Sequence, residues 1–148
     1  MLRGVLPKMR NRGRPSGHTG PAPILRSEGI FRLFSYVRKR RRYSSRAIVA
    51  LHLSFFLGMR SKEIASLCWS DVFGPDRSVN RVLHLKPAYT KNAKKRDVYL
   101  SSPQLRSLLA ALAHEIGWEE NPSAPLFPSQ KGGHLTAGSM GRFMKQLY

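Results

Sequence analysis

Arg60 and Glu63 are the first residues in the chain that could do chemistry together, because a spacing of three sets a guanidinium and a carboxylate one helical turn apart. Taken alone, the pair is an ordinary ion pair on a helix face. A second group is Lys91-Asn92-Ala93-Lys94-Lys95-Arg96, with four cations in six residues and no acid, and a third is Arg38-Lys39-Arg40-Arg41-Arg42. Clusters of this kind serve a polyanion. Other constellations are weaker. Ala137-Gly138-Ser139-Met140-Gly141 has the spacing of a relaxed nucleophile elbow, yet no strand pattern precedes it and no His-acid pair accompanies it, which argues against a hydrolase. The five His residues form no pair at metal-ligand spacing, and the single Cys68 leaves no Cys pair for zinc or for an intramolecular disulfide. No metal site is expected, and a reducing compartment is the default. Lys131-Gly132-Gly133 lacks the upstream Gly and the following Ser or Thr of a phosphate-binding loop and reads as a turn.

The charge balance agrees with a polyanionic partner. The 148 residues carry 26 Lys and Arg against 8 Asp and Glu, a formal net charge of +18. Residues 1–46 hold 13 of those cations and a single acid, Glu28. Duplex nucleic acid is the partner such an array fits best, because each neutralised phosphate releases a condensed counterion. An anionic membrane surface is the alternative for the amphipathic segment Ile24 to Arg42, which lacks the Trp expected of such helices. No run of about 18 apolar residues occurs, so no spanning helix is expected. Met1 to Pro21 has no apolar core of secretory type, which gives export no support.

The elements that must position these groups follow from periodicity. Residues 1–23 read as a basic arm, rich in Arg, Gly and Pro, and folded structure is expected from Ile24. Ile30, Leu33, Phe34 and Val37 recur at helical spacing from Ser27. A second helix, capped by Ser44 or Ser45, is apolar nearly all round through Ile48, Val49, Leu51, Leu53, Phe55, Phe56 and Leu57, and should be the centre of the core. Gly58 closes it, and Ser61 reads as the cap of a short third helix containing Ile64, Leu67 and Cys68. Asp71 to Phe73, Val82 to Leu85 and Asp97 to Leu100 then read as three short strands, the last two joined by a loop through Thr90 to Lys95. Ser101 with Gln104 suggests a capping box for a helix striped by Leu105, Leu108, Leu109, Leu112 and Ile116. A Pro-rich connection, Asn121 to Pro128, leads to a last helix from Thr136 to Leu147. Trp69 and Trp118 read as packing residues.

Gly58-Met59-Arg60-Ser61-Lys62-Glu63-Ile64-Ala65-Ser66-Leu67-Cys68-Trp69-Ser70-Asp71-Val72 resembles the tyrosine recombinase (phage integrase) family, whose catalytic domain carries Gly-x-Arg-x-x-Glu-Ile/Leu-x-x-Leu-x-Trp-x-Asp-Ile/Val. All eight positions of that pattern are filled, by Gly58, Arg60, Glu63, Ile64, Leu67, Trp69, Asp71 and Val72. Thr90 to Leu100 is similar to the family's hairpin, Gly/Thr-Lys-x-x-Lys-x-Arg-x-Val-x-Leu, and Leu126-Phe127-Pro128-Ser129 resembles its Leu-Phe-Pro-Ser segment. The resemblance covers Ile24 to Tyr148.

It implies an α+β, mainly α fold, with a small three-stranded antiparallel sheet, and an enzyme that breaks and rejoins DNA through a 3′-phosphotyrosyl bond without metal or cofactor. On that basis Arg60 would stabilise charge on the phosphate, Lys91 would protonate the leaving 5′-hydroxyl, and Glu63 would hold the Arg60 guanidinium. Arg38, Lys39, Arg40, Arg41, Arg42, Lys94, Lys95 and Arg96 would bind DNA. The partners implied are double-stranded DNA and other recombinase protomers on it, with no membrane, and a place at the nucleoid in the cytoplasm. The family's His-x-x-Arg motif and its nucleophilic Tyr have no counterpart among the 148 residues, since none of His18, His52, His84, His114 and His134 is followed at that spacing by Arg. Tyr148 aligns ahead of that motif and reads as a packing residue. Residues 24–148 are thus expected to be a partial catalytic domain, truncated and inactive alone, or a DNA-binding remnant that regulates an intact recombinase. A small basic RNA-binding protein is the third reading and leaves the Arg60 motif unexplained.

Overall fold

The computed structural model describes residues 26–39, 44–116 and 121–147. Its elements in chain order are α1 (Ser27–Arg38), α2 (Ser44–Phe55), α3 (Ser61–Ala65), α4 (Trp69–Val72), β1 (Val82–Leu85), β2 (Arg96–Tyr99), α5 (Pro103–Ile116) and α6 (Ala137–Leu147), with a single 3-10 turn, Lys91–Ala93, between the strands. The basic arm, Arg40 to Arg42, Trp118 and Tyr148 lie outside the described residues.

Helix α2 is the hub, as its all-round apolar sequence requires. Ala47, Ile48, Val49, Ala50, Leu51 and Leu53 are all buried. The helix packs against α1, α3, α5 and α6. Helix α1 buries Leu33, Phe34 and Val37, which is the stripe its spacing sets out, and α5 buries Leu105, Leu109, Leu112 and Ala113. Helix α6 lies on α3 and α2 through Met140, Met144 and Leu147. Among the described residues no helix is long and apolar enough to cross a membrane.

The sheet has two strands rather than three. β1 and β2 pair antiparallel, with Val82 opposite Tyr99, Leu83 opposite Val98, His84 opposite Asp97 and Leu85 opposite Arg96. The segment expected as a third strand, Asp71 to Phe73, is mostly the helical turn α4. The reason is the Asp71 carboxylate, which accepts the Cys68 N–H at 2.9 Å and folds the chain back on itself, while the Phe73 N–H returns to the Trp69 carbonyl at 2.9 Å. Only one isolated bridge, Phe73 to Val79, remains of that strand.

Caps shift by one residue in two places. Helix α3 begins at Ser61, so Arg60 rather than Ser61 holds the cap position, and the helix ends at Ala65, short of Leu67 and Cys68. Ser102, not Ser101, caps α5, its Oγ accepting the Leu105 N–H at 3.3 Å, with Pro103 in the first turn where a missing N–H costs nothing. The turn between α2 and α3 depends on Gly58, whose φ of 61° lies in the left-handed region. A Cβ there would meet nothing within 4 Å, so its cost would be conformational alone.

His52 sits on the inner face of α2 at 6% exposure, against the rings of Phe34 at 4.8 Å and Phe56 at 4.9 Å. Burial, assisted by the nearby Arg38 charge, holds its pKa below the ordinary histidine value. Folding therefore favours the neutral ring, and the stabilisation is complete above the unfolded value of about 6.5 and is lost as pH falls below it. Urea melts between pH 7.5 and 5 should show the midpoint falling over the lower half of that range, and His52→Gln should flatten the dependence. Gly58→Ala should cost about 1 kcal/mol in the same melts at pH 7.5.

Candidate active site

The site is assembled at the junction of the α2–α3 turn with β2. Glu63, on α3, is fully buried, and its carboxylate collects donors from two directions. From its own turn, the Arg60 main-chain N–H donates to Oε2 at 2.8 Å and Arg60 Nη1 donates to Oε1 at 3.3 Å. From β2, Arg96 Nη1 donates to Oε2 at 3.0 Å and to Oε1 at 3.3 Å. Arg96 Nη2 continues to the carbonyls of Leu57 at 3.3 Å and Gly58 at 3.4 Å, where α2 gives way to the turn. The contacts of Glu63 with Arg60 and Arg96 are thus salt bridges to one carboxylate, and the two guanidiniums differ in setting. The Arg60 side chain is 61% exposed and that of Arg96 is 35% exposed.

Lys91 stands in the loop of the same hairpin, ahead of Arg96, exposed on the 3-10 turn. That turn carries two non-glycine residues with positive φ, Asn92 at 67° and Ala93 at 50°. Ala lacks the side-chain compensation that makes this region tolerable to Asn, so the conformation must be held from outside. Thr90 holds it. Its buried hydroxyl lies 2.6 Å from the Lys94 carbonyl, to which it donates, closing the loop across Lys91 to Ala93. Lys94 and Lys95 are exposed beside Lys91, and Arg38 and Lys39 are exposed at the end of α1.

Arg96, which its charge groups with the DNA-binding cations, turns inward to Glu63 instead. The signal is in the strand period. Arg96 and Val98 share one face of β2, Val98 is core, and Asp97 and Tyr99 face outward. A second contact without a sequence signal braces the site from behind. His134 Nδ1 lies 3.0 Å from the Ala65 carbonyl and therefore carries the proton, leaving Nε2 to accept from the Cys68 thiol at 3.6 Å. Burial and the Asp71 carboxylate push the Cys68 thiol up, which keeps it a neutral donor. Lys86 pairs with Asp71 at 3.3 Å, and that carboxylate raises its pKa. Trp69 is buried against Phe73, with no face free for a base. Among the described residues, no three His, Cys, Asp or Glu side chains come together as metal ligands.

The arrangement can bind a phosphodiester. It presents one exposed, permanently charged planar fork at the mouth of a turn and an ammonium on a closed loop, joined through one strand. A family model, described as the phage integrase family, matches residues 24–148. No curated protein matches the chain. Eighteen chains of solved structures do. One is the crystal structure of XerA recombinase, which aligns with a TM-score of 0.63 at 16% identity over 90% of this chain and 44% of that one. At that identity the likeness concerns the fold, and the chain spans less than half the length of the matched protein. Thr90→Val should loosen the hairpin tip while leaving the core intact. Hydrogen exchange should accelerate at residues 91 to 95 by about fivefold, the equivalent of one hydrogen bond of about 1 kcal/mol, with no change at Val98 or Leu100.

Proposed function

The chain belongs to the phage integrase family and carries a site-specific tyrosine recombinase-like domain, and on that premise we propose that it binds duplex DNA and takes part in strand breaking and rejoining through a 3′-phosphotyrosyl bond. In that reaction a tyrosine oxygen attacks phosphorus, the bond from phosphorus to the 5′-oxygen breaks, and that oxygen takes a proton. The energy of the diester is kept in the new ester, so no cofactor is called for. Arg60 is the group for the non-bridging oxygens, where a fixed cation at developing charge contributes about 3 kcal/mol. Lys91 is the proton donor, worth about two to four decades in rate. Glu63 is the positioning carboxylate.

The observation that carries this reading is the exposed Arg60 guanidinium hinged on a fully buried carboxylate that also anchors the strand leading from Lys91. Among the 148 residues there is no His-x-x-Arg, so the second guanidinium and the attacking Tyr are not assigned to this chain. We accordingly propose that the 148-residue chain binds DNA without cleaving it. A role as a DNA-binding regulator of an intact recombinase is the second reading.

Fluorescence anisotropy on duplex DNA should give a slope of log affinity against log salt near −5, for about six neutralised phosphates. A slope shallower than about −2, or a strong preference for single-stranded RNA, would sink the assignment to DNA. On nicked duplex that traps the covalent intermediate, the chain alone should yield no detergent-resistant adduct. Adducts should appear when a segment bearing His-x-x-Arg and Tyr is supplied, and Arg60→Ala or Lys91→Ala should suppress them. Adduct formed by the chain alone and abolished by Tyr148→Phe would show that the attacking residue is already present.

A further inference from the structure

Two guanidiniums share one buried carboxylate at this site, and their unequal exposure has a functional meaning. Glu63 is fully buried, and a carboxylate in that position must keep a cation against it. Its contact with Arg96 is the better made, two bonds at 3.0 and 3.3 Å from a guanidinium that is also held by the Leu57 and Gly58 carbonyls. Its side-chain contact with Arg60 is one bond at 3.3 Å from a largely exposed guanidinium. The main-chain N–H of Arg60, at 2.8 Å, supplies what else the carboxylate takes from that turn.

We propose that Arg96 is a positioning residue that neutralises Glu63 and thereby leaves the positive charge of Arg60 available to an outside phosphate. One carboxylate cancels one guanidinium, and geometry decides which. Arg96 is fixed on β2 by pairing opposite Leu85 and by its place on the core side of the strand, so it cannot follow an anion outward. Arg60 is free to do so. Without Arg96, the same carboxylate would draw the Arg60 guanidinium inward, and the phosphate would have to compete with Glu63 for it. The inference rests on the reading of Arg60 as a phosphate ligand and adds to it the residue that keeps Arg60 unspent.

The test is a cycle of four proteins, the wild-type chain, Arg96→Met, Glu63→Gln and the double variant, each read in two ways. Without DNA, the ¹⁵N–¹H signals of the Arg60 guanidinium should be averaged by rotation in the wild type. They should become resolved in Arg96→Met, as the group locks onto Glu63, and averaged again in the double variant. With duplex DNA, Arg96→Met should reduce the salt slope by about 1, the share of one phosphate contact, and adding Glu63→Gln should restore it. A slope that Glu63→Gln fails to restore would make Arg96 a direct DNA ligand and overturn the proposal, as would Arg60 signals indifferent to Arg96→Met. Arg96→Lys keeps the charge but cannot span the carboxylate and both carbonyls. It should give the same changes in weaker form, and its failure to fold, with and without Glu63→Gln, would assign Arg96 a structural role instead. A wild-type chain that does not bind DNA would refute the proposed function while leaving the guanidinium signals to decide the role of Arg96.

Discussion

A single buried carboxylate organises this molecule. Desolvating a charge costs several kcal/mol unless partners surround it, and Glu63 meets that demand by recruiting groups from the α2–α3 turn and from β2. Because its donors come from segments more than thirty residues apart, satisfying the charge fixes the hairpin against the helical core. Hydrophobic burial alone would hold β2 near α2 without choosing a register, since apolar contact has no direction. The ion pairs choose it.

A second brace lies on the other side of α3. The Leu67 carbonyl accepts from the Leu126 N–H at 2.8 Å, and the Trp69 and Ser70 N–H groups donate to the carbonyls of Ala124 and Pro122 at 3.1 and 2.8 Å. A stretch that reads as a Pro-rich connection is therefore paired along its length. It brings Leu126 and Phe127 into the core and delivers His134 to the Ala65 carbonyl at the end of α3. The short helix that bears Glu63 is thus held at both ends, which a helix of five residues needs, since isolated turns of that length do not persist in water.

What the sequence made legible, and what it hid, divides along physical lines. The helices α1, α2, α5 and α6 show in the apolar spacing because burial of a stripe is what stabilises them. The Arg60 pattern names its residues because each meets a separate demand, a left-handed turn at Gly58, a paired carboxylate at Glu63, a filled core at Ile64, Leu67 and Trp69. The third strand failed because Val72 and Phe73 have strand propensity, while Asp71 has a local use as a cap that propensity does not weigh. Charge alone groups Arg96 with its neighbours, although the alternation with Val98 places it on the inner face. The His134 bridge leaves no trace in local pattern, because both its partners are distant in the chain.

The hairpin separates two tasks along its length. The strands pair where Leu83 faces Val98 and Leu85 faces Arg96, and the tip is closed by bonds that run within the loop itself, from the Thr90 hydroxyl to the Lys94 carbonyl and from the Thr90 N–H to the Pro87 carbonyl. No contact in that closure depends on the length of the loop beyond it or on the charges it displays. The closure uses the Thr90 hydroxyl and main-chain carbonyls, so a change at the exposed Lys94 or Lys95 side chain leaves the turn that carries Lys91 in place. The geometry of that turn is thereby uncoupled from the side chains displayed beside it.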